Sequence, residues 1–575
     1  MEKIICNPLN LSYRYQHFMM LGKWSYHREG ADPTLVYFKD RYYLFVSMSA
    51  GFWHSTDLFH WQYHENNNLL IHDYAPDARQ IGDYLYFCAS KREENCPILR
   101  TKDPLSDHFE EVARPFPFWD PDLFCDDDGR VYLFWGCSNK EPIYGLELDP
   151  DRMTPIGEKV ALLQGEPAAH GFERVGENCD PQYKRGLYQR LLGSSPFVEG
   201  AFMSKHNGRY YLQYAVPGTE YNTYADGVYV SDHPLGPFEF ASHNPFSSKP
   251  GGFITGAGHG STIQDKHGNW WHASTMRISV NQGFERRVGL FPAGFDADGV
   301  LFCNQNFADY PLAIPEGKFD PWEIGPKWML LSYQKHVTAS SAQPGHGPER
   351  SVDENIRTWW SAATNRPGEY LQLDLGEPYS VHAIQVNTAD GNITPQKHAK
   401  GEMVGAWYQR RYIETRKIYT RYLVEGSLDG TQWFVLEDKR DAESDLPHDL
   451  FLYKEGRELR YIKVTGYEFP YGQSFKISGL RVFGEGKGQK PAQAEAKAQR
   501  TGDRNALIQW NRVEGAQGYN VRYGIHPEKL YLSWLTYDQE QLDLPTLNKG
   551  LTYYVCVDSF NENGITPGKT IRIEA

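Results

Sequence analysis

The sequence lacks the features that mark several classes of protein. Lys and Arg number 59 against 73 Asp and Glu, a net charge of −14, and such a surface repels nucleic-acid phosphates and anionic lipids. No apolar run approaches the roughly 18 residues that a spanning helix needs. None of the eight cysteines lies in a C-x-x-C pair, which argues against zinc ribbons and redox motifs and predicts reduced, buried thiols. We therefore expect neither a nucleic-acid partner nor membrane insertion.

The N-terminal segment also lacks a secretory signal. MEKIICNPLNLSYRYQ has neither an apolar core nor a cleavage site. The sequence as read predicts a cytoplasmic protein. Removal of a native signal would leave the same start in a periplasmic or secreted protein.

Aromatic residues and turn formers are abundant. Phe, Trp and Tyr make up 14% of the 575 residues, with 53 Gly and 35 Pro, and this composition favours many short strands. At about 150 residues per domain, the length predicts three or four domains.

Five segments of the first 315 residues share one pattern: a polar lead, an apolar strand, a turn rich in Gly, Asp or Asn, and an aromatic strand. They are residues 32–47, 75–90, 120–136, 199–215 and 258–274. Each segment predicts a β-hairpin, and five such repeats indicate a five-bladed β-propeller over residues 1–315. The innermost strands of a propeller meet at its axis, so we expect the five leads to converge in one central pocket.

The rest of the chain predicts further β-domains, which makes the fold class all-β. Residues 316–335 are expected to be a connector and residues 487–502 an Ala-, Lys- and Gln-rich linker. Alternating strands predict a β-sandwich over residues 336–486 and a smaller immunoglobulin-like sandwich over residues 503–575. An unusually long insert, residues 388–419, interrupts the first sandwich, and the sequence does not decide its role.

Acidic residues occupy equivalent places in the repeats. Asp32, Asp120 and Glu199 lead three of them, the second offers Asp77, and the fifth offers His259. Asp-Pro and Glu-Gly are also ordinary turn starters, but a turn does not require carboxylates at the same place in three repeats. Glycoside hydrolysis uses such a set, because one carboxyl protonates the leaving oxygen and another activates water. A third carboxylate would keep the acid protonated by repulsion between like charges.

The segments GADPTLVYFKDRYYLF, FWDPDLFCDDDGRVYLFWG, VEGAFMSKHNGRYYLQYA and GAGHGSTIQDKHGNWWHAS resemble glycoside hydrolase family 43. The resemblance implies an inverting five-bladed propeller enzyme acting on arabinofuranosides or β-xylosides. It further implies that Asp32 is the general base, Asp120 the pKa modulator and Glu199 the general acid. Asp122 lies two residues beyond Asp120 and would point the same way on a strand, so it is the reserve candidate for the modulator. His259 matches an axial histidine that helps to hold calcium or another ion. The chemistry itself requires no cofactor.

Several aromatic and acidic residues are predicted to line the sugar site. Trp119 abuts Asp120, while Trp53 suits either a sugar contact or core packing, and Asp77 lies in the sequence YAPDA. Tyr74 in that sequence stands where the family usually has Trp.

Two further features are predicted to shape the pocket. Arg287, in ERRVGLFP, resembles an arginine that pairs with the carboxylates, and Arg286 is an equal choice. The extra segment 170–197 precedes the fourth repeat. Its His170 and Glu173 are expected to narrow the cleft and favour exo action, the alternative being a solvated surface loop.

The second domain resembles a discoidin, or coagulation factor type C, sandwich, on the basis of SVDENIRTWWSA, YLQLDLG and VEGSLDGTQW. The resemblance implies a carbohydrate-binding module, often with a structural calcium, although Trp359 and Trp360 also suit a core. The last domain resembles fibronectin type III, whose expected role is spacing or contact.

The leading hypothesis is an exo-acting, inverting glycosidase that releases a terminal pentose from plant polysaccharide side chains. The sequence favours α-L-arabinofuranosidase first and β-xylosidase second, with a β-D-galactofuranoside or galactan substrate as the alternative. A non-catalytic carbohydrate-binding protein is the rival from another class. A glycoside phosphorylase is less favoured, because only Arg28 and Lys39 lie near Asp32 to bind phosphate.

Overall fold

The computed structural model describes residues 3–66, 69, 74–91, 94–180, 182, 195–391, 393, 403–404 and 409–574. Within these ranges the regular structure consists of β-strands and short 3-10 turns, without an α-helix. No helix in this part of the chain is long and apolar enough to cross a membrane. The 3-10 turns are Pro104–Ser106, Gly171–Glu173, Glu177–Cys179, Pro321–Glu323, Pro348–Ser351 and Pro470–Gly472.

Three N-terminal strands precede five successive antiparallel sheets. The N-terminal strands are β1 (Lys3–Ile5), β2 (Arg14–Met20) and β3 (Lys23–Glu29). The first sheet contains β4 (Thr34–Phe38), β5 (Arg41–Phe45), β6 (Gly51–Ser55) and β7 (Gln62–Glu65). The second contains β8 (Tyr74–Ile81), β9 (Tyr84–Ser90), β10 (Ile98–Thr101) and β11 (Glu110–Ala113). The third contains β12 (Asp122–Cys125), β13 (Val131–Trp135), β14 (Ile143–Leu148) and β15 (Pro155–Leu163).

The fourth and fifth sheets complete the set. The fourth contains β16 (Glu199–His206), β17 (Arg209–Val216), β18 (Ala225–Ser231), β19 (Glu239–Phe240) and the short β20 (Ser247–Ser248). The fifth contains β21 (Thr255–Gln264), β22 (Trp270–Arg277), β23 (Arg286–Phe295) and β24 (Leu301–Cys303). Next comes β25 (Leu312–Ile314), which pairs with β1 and so ties the N-terminus to the end of the fifth sheet.

The first strands of the five sheets form a closed ring. Each of β4, β8, β12, β16 and β21 contacts the next, and β21 contacts β4. Local sequence builds these sheets through tight turns. At Asn207 and Gly208 both φ angles are positive, 48° and 78°, as a two-residue hairpin requires. The prediction of a five-bladed β-propeller is therefore confirmed, with the repeat leads at the axis.

The second module is built on one eight-stranded sheet that bends back on itself, and two further strands belong to another sheet. Its strands are β26 (Met329–Leu330), β27 (His336–Ala339), β28 (Trp360–Ser361), β29 (Tyr370–Thr388), β30 (Met403–Val404), β31 (Gln409–Ile413), β32 (Arg421–Ser427), β33 (Phe434–Asp438), β34 (His448–Glu468) and β35 (Lys476–Glu485). Register shifts along β29 and β34 bend both strands. Residues from both halves of β29, such as Leu373 and Ile384, therefore share one core, which also contains Trp360. This is a β-sandwich, with β26 drawn from the predicted connector and paired with β35.

Two of these strands leave the sandwich. Strand β31 pairs with β2, and a four-stranded sheet runs in the order β3-β2-β31-β30. Residues 392, 394–402 and 405–408 of the predicted insert lie outside the described residues. Its described part is bound to the N-terminal hairpin beside the propeller.

The third module is a second sandwich. Its strands are β36 (Ala496–Gly502), β37 (Asn505–Trp510), β38 (Gly518–Gly524), β39 (Leu532–Tyr537), β40 (Gln541–Leu544), β41 (Tyr553–Asn561), β42 (Gly564–Thr566) and β43 (Ile571–Ile573). Two sheets, β36-β37-β40 and β39-β38-β41-β42 with β43, enclose a core around Val521, Leu544 and Val557. Strand β36 lies wholly within the predicted linker, residues 487–502, so the second half of that segment is a strand of the sandwich. The likeness to fibronectin type III stays a prediction. All eight cysteines of the chain are free thiols.

Candidate active site

The repeat leads hold unusual backbone conformations at the propeller axis. Asp32 and Asp120 lie two residues before β4 and β12, with positive φ angles of 52° and 49°, and His259 in β21 has a φ of 50°. Side chains of neighbouring strands satisfy the amides of the two aspartates: Asp32 donates to Thr275 Oγ1 at 2.8 Å and Asp120 to Ser90 Oγ at 2.9 Å. Left-handed residues other than glycine are strained and concentrate at functional sites.

Asp32 is held by three side chains. Ser47 donates to its Oδ2 at 2.6 Å, and Arg286 donates to its Oδ1 at 3.1 Å. His259 Nδ1 lies 3.3 Å from the same Oδ1. Asp32 is only 4% exposed, so these partners fix its orientation.

Asp120 is repelled by both of the other carboxylates, Asp32 and Glu199. Burial raises its pKa to about 7, and repulsion from Glu199 and Asp32 adds to this, while His259 opposes it. His259 Nδ1 is 3.9 Å from Asp120 Oδ2. A carboxyl group with this pKa exchanges a proton near neutral pH, as acid-base chemistry requires.

Glu199, the half-buried first residue of β16, receives one donor on each oxygen. The Tyr224 hydroxyl donates to Oε1 at 2.6 Å, and the Cys137 thiol donates to Oε2 at 3.3 Å. Burial and the carboxylates around it raise the pKa of the Cys137 thiol well above its usual range. Sequence reasoning missed both donors. Cys137 directly follows the third repeat, and this position was the one sign in the sequence that its thiol could lie near the axis.

Ligand atoms of Asp120, Cys137 and Glu199 lie within 4.8 Å of one another, close enough to hold a metal ion. The predicted ion partner, His259, is not in this group. Burial alone would lower the pKa of His259, but Asp32, Asp120 and other carboxylates outweigh it and raise the pKa. An ion beside His259 stays a prediction, because the ring lies next to Asp32 and Asp120, whose carboxylate oxygens are ligands of the kind that calcium takes.

The arginine that pairs with the carboxylates is Arg286, so the choice of Arg287 is corrected. Arg286 donates to Glu29 Oε1 at 2.6 Å as well as to Asp32. Arg287 donates to His448 Nε2 at 2.9 Å, in the second module. Successive side chains on strand β23 point to opposite sides, so only one of the two can face the axis.

Trp53 is core and not a sugar contact. It is 1% exposed and packs against Tyr13 and Tyr63 in the hydrophobic cluster between the first and fifth sheets. Trp119 is half-buried beside Asp120 and remains the predicted aromatic contact.

Asp77 and the reserve candidate Asp122 belong to another buried cluster along the inner strands. Asp77 is 1% exposed, and its Oδ2 accepts from the Leu123 amide at 2.8 Å. Asp122 forms an ion pair with Arg79, and burial raises its pKa to about 8. Asp77 therefore braces β8 against β12, which corrects its assignment as a substrate contact.

His170 and Glu173 do not line the pocket. His170 Nδ1 lies 3.0 Å from Glu173 Oε1, and its ring stacks on Phe240 at 3.6 Å. Glu173 is fully buried and accepts from Tyr214 OH at 2.6 Å. The Gly171 amide donates to Leu547 O at 3.1 Å, so this turn docks on the third module. Residues 181 and 183–194 of the same segment lie outside the described residues.

Comparison with known proteins assigns the propeller to a family. The model for glycosyl hydrolases family 43 matches residues 26–301. The chain contains a family 43 glycosyl hydrolase domain. A model for the F5/8 type C domain matches residues 336–401, which identifies the second module as that domain.

Curated relatives match this family 43 domain at low identity. Xylan 1,3-beta-xylosidase of Vibrio sp. is 26% identical over 292 residues, 44% of this chain and 49% of that protein. Arabinoxylan arabinofuranohydrolase of Paenibacillus polymyxa is 22% identical over 329 residues, 45% of this chain and 47% of that protein. The chain thus spans about half the length of these relatives. A solved structure entitled "Glycoside hydrolase" matches with a TM-score of 0.45 at 18% identity, covering 79% of this chain and 97% of the other.

Proposed function

We propose that the family 43 domain is an inverting, exo-acting glycoside hydrolase that releases a terminal pentose from plant polysaccharide side chains. α-L-Arabinofuranosides are the first substrate and β-xylosides the second. The observation that carries the proposal is the convergence of Asp32, Asp120 and Glu199 at the axis. The names of the curated relatives, xylosidases and arabinosidases, support a pentose.

The roles follow from the contacts of each carboxyl group. Asp32, bound by Ser47 and Arg286, is the base: it takes a proton from water as the water oxygen attacks the anomeric carbon. Glu199 gives its proton to the glycosidic oxygen as the bond between that oxygen and the anomeric carbon breaks. Asp120 lies within 4.8 Å of Glu199 and repels its ionised form. Each proton transfer thus has a side chain to perform it.

The low exposure of the carboxylates supports action on chain ends. Asp32 and Asp120 are each 4% exposed, whereas a cleft that accepts the interior of a polymer would leave both open to solvent. A narrow pocket admits a terminal sugar and excludes a continuous chain.

The test is hydrolysis of 4-nitrophenyl α-L-arabinofuranoside, β-D-xyloside, β-D-galactofuranoside and β-D-galactopyranoside, with the product anomer followed by NMR. We expect one pentoside to be cleaved with inversion. Preferred cleavage of a galactoside would overturn the pentose assignment, and a retained anomer would overturn inversion. No hydrolysis of the panel or of arabinoxylan would favour a carbohydrate-binding protein.

Glu199→Gln tests the role of the acid. Unactivated glycosides need protonation of the leaving oxygen, so their kcat should fall by about 10²–10⁴-fold. Substrates with a 4-nitrophenolate leaving group should lose far less. Equal losses on both kinds of substrate would show that Glu199 is not the acid.

A further inference from the structure

Strand β31 carries one arginine from the F5/8 type C domain to the propeller. In the β2–β31 pairing, Arg411 lies opposite Phe18, and its guanidinium lies 4.9 Å from the centre of that ring. Arg411 is 2% exposed, whereas its neighbour Arg410 is exposed. Alternation along the strand thus directs one arginine inward and the next into solvent.

Arg411 binds two residues beside the catalytic carboxylates. Its NH1 donates to Glu29 Oε2 at 2.7 Å, and its NH2 donates to the Tyr74 hydroxyl. Tyr74 is the residue in the place where the family usually has Trp. Arg286 also approaches the Tyr74 ring, at 5.6 Å from its centre.

These contacts form a line of alternating charge that ends at Asp32. Arg411 binds Oε2 of Glu29, Arg286 binds Oε1 at 2.6 Å, and Arg286 also binds Asp32 at 3.1 Å. Burial opposes ionisation of Glu29, but Arg411 and Arg286 outweigh it and lower its pKa to about 2. All four groups are at least 96% buried, so each depends on its neighbours for charge compensation.

We propose that Arg411 is a positioning residue that sets the orientation of Asp32 through Glu29 and Arg286. The proposal rests on the function proposed above, because it assigns Asp32 as base. Without Arg411, Oε2 of Glu29 has His27 Nε2 at 3.6 Å, beyond hydrogen-bond reach, and Arg286, already bound to Oε1, is the guanidinium able to serve it. Arg286 then turns toward Glu29 and releases Asp32. The F5/8 type C domain is on this account part of the hydrolase site.

The experiment compares Arg411→Gln, Arg411→Lys and the matched control Arg410→Gln. A misplaced base lowers kcat, and a displacement near 1 Å costs about 100-fold. We expect Arg411→Gln to lose about that factor in kcat with little change in KM. Arg411→Lys should recover part of it, because an ammonium still reaches Glu29. Arg410→Gln should match the wild type.

A crystal structure of Arg411→Gln tests the geometry independently of activity. We expect Arg286 to bind both oxygens of Glu29 and to leave Asp32. An unchanged contact between Arg286 and Asp32 would overturn the proposal, as would wild-type kcat in the Arg411→Gln variant. Inactivity of the wild type would instead count against the proposed function, and the crystal structure would still decide the role of Arg411. If Arg411→Gln does not fold, the same contact is examined in Arg411→Lys, where partial displacement is expected.

Discussion

Replacing Asp120 with Asn is expected to move the alkaline limb of the kcat/KM profile to lower pH. The substitution removes a negative charge and keeps the size of the side chain. In the wild type that charge and the charge of Glu199 repel each other. The same repulsion is one of the causes that raise the pKa of Asp120 to about 7, behind burial.

The size of the shift in the alkaline limb follows from the distance between the side chains of Asp120 and Glu199. Ligand atoms of Asp120 and Glu199 lie within 4.8 Å. Two unit charges at that separation repel by about 0.9 kcal/mol in water and by about 3.5 kcal/mol at an effective dielectric constant of 20. At 1.36 kcal/mol per pH unit, this corresponds to about 0.6–2.5 units. Because Asp120 is buried, the shift should lie toward the upper end.

The assay is the pH dependence of kcat/KM on an unactivated glycoside, for which protonation of the leaving oxygen limits the rate. Asp122→Asn is the matched control, because it makes the same Asp-to-Asn change two residues further on, at the buried first residue of β12, whose partner is Arg79. We expect the alkaline limb of the kcat/KM profile of Asp122→Asn to coincide with that of the wild type. An alkaline limb of Asp120→Asn that coincides with the wild type would refute the modulator role.

Two further predictions concern stability. Trp53→Ala should lower the free energy of unfolding, measured in urea, by about 3–5 kcal/mol, because the ring is 1% exposed in the core. KM should not change. A raised KM without loss of stability would show that Trp53 contacts the sugar after all. Because the pKa of Asp120 is raised from 3.8 to about 7 in the folded state, the folded protein binds the extra proton between those values. The contribution of Asp120 to stability is therefore complete below pH about 4 and is lost as the pH rises through 7. In urea titrations, the free energy of unfolding should decline less over this pH window in Asp120→Asn than in the wild type. Equal declines in the two proteins would contradict the raised pKa of Asp120.

The repeats, and with them the propeller, were predictable from the sequence. Alternation of apolar residues and the turns between strands are local signals, and five copies of one pattern leave few architectures. Asp32, Asp120, Glu199 and His259 could be placed at the axis for the same reason, since each holds the same position in its repeat. Their catalytic roles stay predictions until the variants are measured.

Other parts of the site depended on register and packing. Arg286 and Arg287 are equivalent in the sequence, and only the pairing of β23 shows which of them faces Asp32. His170 and Glu173 lie at the start of the segment that precedes the fourth repeat, yet they bind each other, and His170 stacks on Phe240, beside the third module. Position along the chain does not tell which surface a loop will cover.

What the sequence by itself determined is therefore the set of strands and the axial residues, because hairpin pairing and repetition involve residues close in the chain. Only the tertiary structure decided which side chains support them. Glu199 receives its donors from two separate loops, the one after β13 and the one before β18, and Arg411 reaches Glu29 across 382 positions of the chain. Such contacts form where segments distant in the chain pack together, and no local pattern of side chains records that packing.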